Sequence, residues 1–289
     1  MSYHWGDTIQ HICQNKTALV MGIDPVDSHL PTTLIDSYKG AEWIAPYVQN
    51  LLEIAAPEIG IVKFQAAYFE AYGAAGMQAL AESLAAARKL GLAIIMDAKR
   101  GDIGSTSAAY AAAYLKPGQC DLESDALTIN PFLGPETLEP FFEYADQHGK
   151  GLFVLCKTSN PGSGWLQDQL IQDQTSVSTQ VARMIQQYGQ NSIGSSGLSN
   201  LGAVVGVTYP EHGQALRAEM PNAIILAPGL GAQGGKADTF EALKNPQIEG
   251  SVTVNASRGI TKVEDRSMTA DAYWSEVLSR IQNFKKQLL

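Results

Sequence analysis

The chain has 289 residues, of which 45% are hydrophobic, and it carries a formal net charge of −9 at pH 7. This length is sufficient to bury the core of one large α/β domain, and we expect residues 1–289 to form a single domain. The acidic balance argues against a nucleic-acid or acidic-membrane partner, although a local cluster of donors can still bind a small anionic substrate.

The cysteines and the apolar runs indicate a cytoplasmic protein. Cys13, Cys120 and Cys156 are too few and too scattered for a disulfide framework or a zinc site, which is typical of a reducing compartment. No apolar run reaches the roughly 18 residues that a membrane-spanning helix needs. Residues 1–10 contain no apolar core of signal-peptide length. We therefore expect a cytoplasmic location and no membrane partner.

Apolar runs of strand length recur along the chain, with segments of helical spacing between them. The predicted strands cover residues 18–24, 60–65, 92–99, 125–130, 151–157, 202–208, 223–227 and 251–255. The predicted helices cover residues 42–56, 74–90, 137–148, 175–188, 209–219 and 270–289. Continuous Val/Ile/Leu runs are typical of buried parallel strands. Eight β-then-α units predict an α/β fold, a closed (β/α)₈ TIM barrel, with an open doubly wound sheet as the alternative.

One connection is longer than the others. Residues 160–200 follow the fifth predicted strand and are rich in Gly, Ser and Gln, with one helical pattern inside them. Long connections in compact domains are usually functional rather than structureless. We interpret residues 160–200 as an insertion beside the site.

Polar residues collect at the carboxyl ends of the predicted strands, where the chemistry of a TIM barrel is found. In chain order they are Asp24, Lys63, Gln65, Asp97, Lys99, Asn130, residues 157–160, residues 228–235 and residues 255–259. A single polar residue at a strand end is ordinary. Polar residues at seven of the eight predicted strand ends indicate a site.

The most informative stretch is 94–106, where an apolar run ends in two carboxylates and two cations. Side chains alternate along a strand, so Asp97 and Lys99 should point the same way. Gly101 permits a turn that presents Asp102, and Thr106 lies in the first turn of an Ala-rich helix. Burying such charges together is costly unless they pair. The stretch therefore predicts a site, with a solvated salt bridge at a strand exit as the alternative.

The loops after the last two predicted strands are suited to a phosphate. Residues 228–235 are rich in glycine, which lets backbone N–H groups approach an anion closely. Gln233 can donate from its amide and Arg258 can form a bidentate, charge-assisted contact. The alternative is a flexible surface loop. Nothing in the spacing suggests a metal, because lysines rather than histidines accompany Asp97 and Asp102.

The residues Asp97-Ala98-Lys99-Arg100-Gly101-Asp102-Ile103-Gly104-Ser105-Thr106 resemble the Asp-x-Lys-x-x-Asp-Ile-x-x-Thr signature of the orotidine 5′-phosphate decarboxylase family. Further matches fall in the family's order, and they are Asp24, Lys63, residues 158–162, residues 228–235 and residues 257–259. The Ala-Lys-Arg-Gly-Asp form and the long segment after strand five resemble the longer bacterial (type 2) subgroup.

The resemblance implies decarboxylation of orotidine monophosphate (OMP) to uridine monophosphate (UMP), without a metal or organic cofactor, in a homodimer with shared active sites. The implied catalytic residues are Lys63, Asp97, Lys99 and Asp102, with Lys99 protonating C6 and Asp102 supplied by the partner subunit. The implied substrate-binding residues are Asp24 and Thr106 at the ribose, Ile103 across the interface, Ser159 at the pyrimidine, and Gln233 and Arg258 at the phosphate, with Pro228 and Gly234 in the same loop.

Two rival functions remain open at this point. Sugar-phosphate decarboxylases and hexulose-phosphate synthases share the Asp-x-Lys-x-x-Asp strand but use magnesium, for which an acidic ligand would be needed near the end of strand two. That stretch instead holds Lys63, with no carboxylate until Glu70. The other rival is a non-catalytic nucleotide-binding barrel, which has no need to bury two lysines and two aspartates together.

Overall fold

A computed structural model of the chain describes residues 3–206, 210–228 and 240–288. Within these residues eight parallel strands pair in sequence order, and the eighth pairs with the first to close a barrel. The strands are β1 Leu19–Ile23, β2 Ile61–Gln65, β3 Ala93–Arg100, β4 Ala126–Ile129, β5 Gly151–Lys157, β6 Leu201–Val205, β7 Ile225–Pro228 and β8 Val252–Ala256. The predicted TIM barrel is confirmed, and the open sheet is wrong.

Helices alternate with the strands and surround the barrel. They are α1 Trp5–Asn15, α2 Ile44–Ala55, α3 Ala66–Glu70, α4 Gly73–Lys89, α5 Gly104–Leu115, α6 Glu139–His148, α7 Gly164–Gln167, α8 Val177–Gly189, α9 Pro210–Glu219, α10 Arg258–Thr261 and α11 Ala270–Leu288. Short 3₁₀ turns lie in several of the connections. A search of the described helices finds none with the length and apolar character to cross a bilayer.

The predicted elements agree with the observed ones to within a few residues, but the prediction omitted α1 and the three short helices α3, α7 and α10. The sixth strand ends at Val205 instead of 208, and residues 207–209 lie outside the described part of the chain. Helix α1 was not predicted, because the start of the chain was interpreted only as polar. Its two buried anchors, Trp5 and Ile9, are spaced four residues apart and so lie on one helical face.

The apolar core has two parts that the barrel wall separates. The larger part lies between the outer faces of the strands and the surrounding helices. The smaller part fills the barrel interior, where Trp5 of α1 packs edge-on against Phe153 of β5 at 6.1 Å between ring centroids. The backbone N–H of Trp5 donates to Gly149 O, just before β5 begins, at 2.9 Å. Helix α1 therefore closes the amino-terminal end of the barrel, and the opposite end is left for a site.

Residues 160–200 contain short structures around one full helix. A 3₁₀ turn at Pro161–Ser163 and helix α7 precede an isolated bridge between Leu170 and Ser176. Helix α8 then packs on β5, β6 and α9 in the position of an ordinary barrel helix. Irregular structure also follows α8, in a 3₁₀ turn at Gln190–Ser192 and an isolated bridge between Ile193 and Ser199.

A buried arginine joins the elements at the amino-terminal ends of β7 and β8. Arg217, in α9, is almost completely buried, and its guanidinium donates to the backbone oxygens of Leu243, Met220, Ala223 and Ser251 at 2.7–2.9 Å. Desolvation by burial lowers the pKa of Arg217 to about 10, so the group is still charged at neutral pH. No carboxylate pairs with this arginine among the described residues.

We expect Arg217→Met to lower the free energy of unfolding by about 3 kcal/mol, because it removes the hydrogen bonds from the guanidinium group to four buried carbonyl oxygens. Urea unfolding at pH 7 measures the loss. Arg183→Met is the control, since Arg183 is exposed and pairs with Glu219 and Asp173 at the surface. It should change the stability far less. Equal losses in the two variants would contradict a structural role for the Arg217 carbonyl contacts.

Candidate active site

A cavity of about 330 Å³ opens at the carboxyl-terminal ends of the strands. Its walls combine charged and polar side chains with a few apolar residues from the strand ends. The lining residues are Asp24, Lys63, Gln65, Asp97, Lys99, Thr128, Leu155, Thr158, Ser159, Asn160, Val204, Leu226, Pro228, Asn255, Ser257 and Arg258. Seven of the sequence-predicted site residues thus meet in one cavity: Asp24, Lys63, Asp97, Lys99, Ser159, Pro228 and Arg258.

The carboxylate of Asp97 organises the floor of this cavity. Its Oδ2 accepts hydrogen bonds from Lys63 Nζ at 2.8 Å and from Gln65 Nε2 at 3.0 Å. Its Oδ1 accepts from Lys99 Nζ at 2.5 Å and from Thr128 Oγ1 at 3.0 Å. Each oxygen thus receives one ammonium group and one neutral donor from the described residues. This arrangement fixes the carboxylate plane and holds both ammonium groups on the same carboxylate.

Lys63 depends on this carboxylate because its side chain is almost completely buried. Burial by itself lowers the pKa of Lys63, but the charges of Asp97 and Asp24 outweigh it and raise the pKa above its usual value. Burial likewise raises the pKa of Asp97, but Lys63 and Lys99 together outweigh it and hold that pKa well below its usual range. Lys63 and Asp97 are therefore both charged at neutral pH.

Lys99 differs from Lys63 in its exposure and in its backbone. Its side chain is 45% exposed and faces the cavity, so a ligand can reach its ammonium group. Its φ angle is +48°, an uncommon left-handed conformation for a residue with a Cβ atom. Asp97 and Lys99 meet as predicted, but the reasoning from regular strand alternation was wrong, because β3 is irregular between Met96 and Arg100.

Asp24 presents a buried carboxylate oxygen in the same cavity. Its Oδ2 accepts a short hydrogen bond from Ser257 Oγ, in the loop after β8. Its Oδ1 is buried and has no hydrogen-bond partner among the described residues, and the same is true of Asn255 Oδ1. Buried oxygens without a donor are costly, so both atoms are suited to accept a hydrogen bond from a bound ligand.

Ser159 is held in the cavity wall by the segment that follows it. The backbone N–H of its neighbour Thr158 donates to Gln167 Oε1 at 2.8 Å, and Gln167 Nε2 donates to Thr158 Oγ1 at 2.9 Å. Lys157 Nζ, one residue earlier, pairs with Asp168 at 2.6 Å. Helix α7 and the residue after it thus fasten the loop that carries Ser159.

The structure does not bring every predicted residue into the cavity. Asp102, Ile103 and Thr106 are absent from the described lining: Asp102 is half-buried beyond β3, whereas Ile103 and Thr106 are exposed. Asp102 Oδ1 accepts a hydrogen bond from the Ile103 N–H at 2.7 Å. Gln233 and Gly234, predicted at the phosphate, lie outside the described residues.

Three residues that contact the charged groups were not among the predicted site residues. Gln65 was predicted to lie at the end of strand two on the same face as Lys63, but it was assigned no role in the site. Ser257 was predicted only as part of the motif at residues 257–259, although its hydroxyl group donates a hydrogen bond to Asp24. Thr128 carries no local signal, because its contacts depend on how β4 lies beside an irregular β3.

The closed barrel and its charged cavity define a TIM-barrel protein with its site at the carboxyl ends of the strands. Residues 18–273 match the model of the orotidine 5′-phosphate decarboxylase / HUMPS family. The chain belongs to this family.

Individual relatives agree with the family match. The chain is 42% identical over 280 residues to the orotidine 5′-phosphate decarboxylase of Rhodopirellula baltica, with 92% of each chain covered. It is 33% identical over 297 residues to that of Caldicellulosiruptor bescii, covering 97% of this chain and 96% of the relative. The crystal structure of a putative orotidine 5′-phosphate decarboxylase from Streptomyces avermitilis superposes with a TM-score of 0.82 at 32% identity, covering 100% and 96% of the two chains.

We expect Asp97→Asn to lower the free energy of unfolding by about 3 kcal/mol at pH 7, because Lys63 loses its buried counter-charge. Since the folded pKa of Asp97 is lowered, its contribution is present above the unfolded value of about 4 and is lost as the pH falls below it. The difference in unfolding free energy between Asp97→Asn and the wild type should therefore become smaller as the pH falls from 7 to 3. Urea unfolding at the two pH values measures it.

The matched control is Asp36→Asn, which changes an exposed aspartate outside the cavity. It should leave the unfolding free energy close to that of the wild type at both pH values. A difference for Asp97→Asn that stayed constant across this range would show that the carboxylate charge does not stabilise the fold.

Proposed function

We propose that the chain is a carboxy-lyase that converts OMP to UMP, the last step of de novo UMP biosynthesis. The relatives that match most of its length carry the name orotidine 5′-phosphate decarboxylase. The observation that supports this reaction in the chain itself is the Asp97 carboxylate with one ammonium group on each oxygen. Such an array supplies fixed positive charge at a cavity floor without further rearrangement.

The reaction leaves an electron pair on carbon. The bond between C6 of the pyrimidine and its carboxylate breaks, carbon dioxide leaves, and the pair stays on C6. In our proposal the exposed ammonium group of Lys99 stabilises this charge and then donates its proton to C6, forming UMP and a neutral lysine that solvent reprotonates. Asp97 lies near the substrate carboxylate, and the buried Lys63 links Asp97 to the ribose.

The remaining polar groups of the cavity are assigned to the rest of the nucleotide. The Oδ1 of Asp24, which has no hydrogen-bond partner among the described residues, is suited to a ribose hydroxyl, and Ser159 to the pyrimidine edge. Arg258 and Pro228 are assigned to the phosphate, together with Gln233 and Gly234. Contacts to the phosphate, far from the reacting carbon, supply binding energy for holding the pyrimidine in the charged site.

We also propose that the protein is a homodimer with shared sites. Among the described residues, the predicted site residues that do not line the cavity of their own chain are Asp102, Ile103 and Thr106, as expected if they enter the site of a partner. The same end of the barrel exposes large apolar side chains after β3 and β4: Ile103 is 63% exposed and Phe132 is 72% exposed. Exposed apolar groups of this kind are typical of a protein interface.

The sister enzymes of the same scaffold are not favoured. The family model covers more than one activity, but the end of β2 supplies a buried lysine, Lys63, where a magnesium-dependent enzyme would need an acidic ligand. The next carboxylate, Glu70, is paired with Arg100. Over the described ranges, no three His, Cys, Asp or Glu side chains are grouped as a metal site would require.

We propose that residues 1–289 are one domain, with residues 160–200 as an insertion whose first part fastens the Ser159 loop. Cys13, Cys120 and Cys156 are all unpaired, which fits a reducing cytoplasm as the location of the enzyme.

We expect the purified protein to lower the absorbance of OMP at the same rate with and without EDTA, since the charge on C6 is stabilised by lysine. Lys99→Ala should abolish turnover but still bind UMP, whereas Lys244→Ala, at an exposed surface pair, should be fully active. A requirement for added magnesium would favour the sister enzymes. Turnover by Lys99→Ala would exclude Lys99 as the proton donor.

Shared sites predict that two inactive variants restore activity when mixed. We expect Lys99→Ala and Asp102→Ala to be inactive separately and to regain part of the wild-type rate after subunit exchange, because a mixed dimer contains one site with both native residues. Exchange is verified by mass spectrometry of differently tagged chains. Full exchange without recovered turnover would mean that Asp102 does not act across an interface.

A further inference from the structure

The ladder between β3 and β4 is interrupted beside the charged array. Met96 pairs with Leu127, but the next pair is Arg100 with Ile129. Residues 97–99 of β3 therefore lie opposite a single residue of β4, Thr128. Such a bulge leaves backbone groups without their regular partners and re-aims the side chains it carries. The two charged residues of β3 that face the cavity, Asp97 and Lys99, both lie in this bulge.

The side chain of Thr128 takes the place of the missing ladder contacts. It is 1% exposed, and its Oγ1 accepts the backbone N–H of Lys99 at 2.9 Å. The same Oγ1 donates to Asp97 Oδ1 at 3.0 Å. That carboxylate oxygen also accepts from Lys99 Nζ. The hydroxyl group of Thr128 is therefore hydrogen-bonded both to the backbone of Lys99 and to the carboxylate that binds the ammonium group of Lys99.

We propose that Thr128 is the positioning residue for Lys99, holding both ends of this lysine for proton transfer to C6. This inference rests on the proposed function. It concerns how the proton donor is held, and assigns to Thr128 no contact with the reacting atoms.

The backbone of Lys99 explains why a hydroxyl group is needed here. A φ angle of +48° is unfavourable for a residue with a Cβ atom and persists only where the surroundings enforce it. The hydrogen bond from the Lys99 N–H to Thr128 is such a constraint. Valine has the shape of threonine but neither accepts nor donates a hydrogen bond, whereas serine can do both.

The test compares kcat and KM for Thr128→Val and Thr128→Ser. We expect kcat of Thr128→Val to fall on the order of 10²-fold, as for a misplaced catalytic group, with KM little changed. Thr128→Ser should recover most of the wild-type kcat. Thr253→Val is the matched control, since Thr253 is a fully buried threonine of β8 outside the array. Its kcat should equal that of the wild type.

Several results would overturn the proposal. The first is an unchanged kcat in Thr128→Val. The second is a change in KM alone, which would indicate that Thr128 contacts the substrate. The third is an equal fall in kcat in the valine and serine variants, which would indicate that Thr128 acts only through packing. UMP binding and thermal unfolding verify that each variant is folded, and Thr128→Ala replaces Thr128→Val if the latter does not fold.

Crystal structures of the wild type and the folded hydroxyl-free variant provide a test that needs no turnover. We expect Lys99 to leave the left-handed region when the Thr128 hydroxyl is absent, and to keep it in Thr128→Ser. A left-handed Lys99 in the hydroxyl-free variant would overturn the positioning role. If the wild type does not decarboxylate OMP, the proposed function is wrong. The φ angle of Lys99 in the hydroxyl-free variant would still show whether Thr128 positions Lys99.

Discussion

The site depends on one carboxylate that is shared between two lysines. Without Asp97, the buried Lys63 would lose its nearest counter-charge and Lys99 would lose the contact that fixes its ammonium group. Gln65 and Thr128 occupy the remaining positions on the same two oxygens, so the carboxylate cannot turn without breaking a hydrogen bond. Charges held in this way need little rearrangement when a negative charge develops beside them, which is the condition for electrostatic catalysis.

The barrel supplies the rigidity that this array requires. Its amino-terminal end is closed by Trp5 and stabilised around Arg217, where the contacts are structural and distant from the cavity. The carboxyl-terminal end carries the charged and polar side chains of the cavity, on strand ends and on the segments that follow them. Stability and chemistry are therefore assigned to opposite ends of the same strands, as is typical of TIM barrels.

The family contains more than one activity, and a single position at the end of β2 bears on the choice between them. A carboxylate there would suit a magnesium ion, whereas Lys63 places an ammonium group beside Asp97. This difference favours charge stabilisation by the side chains themselves. The fold alone does not decide the chemistry, because one scaffold can carry more than one activity.

The sequence by itself determined the barrel and most of the charged residues, because apolar runs and polar strand ends are local patterns. Asp24, Lys63, Asp97, Lys99 and Arg258 were predicted in this way and meet in one cavity. The tertiary structure decided the hydrogen bonds of Gln65, Thr128 and Ser257, the left-handed backbone of Lys99 and the closure of the barrel by α1. These features depend on the register and packing of segments far apart in sequence, where no local periodicity carries the information.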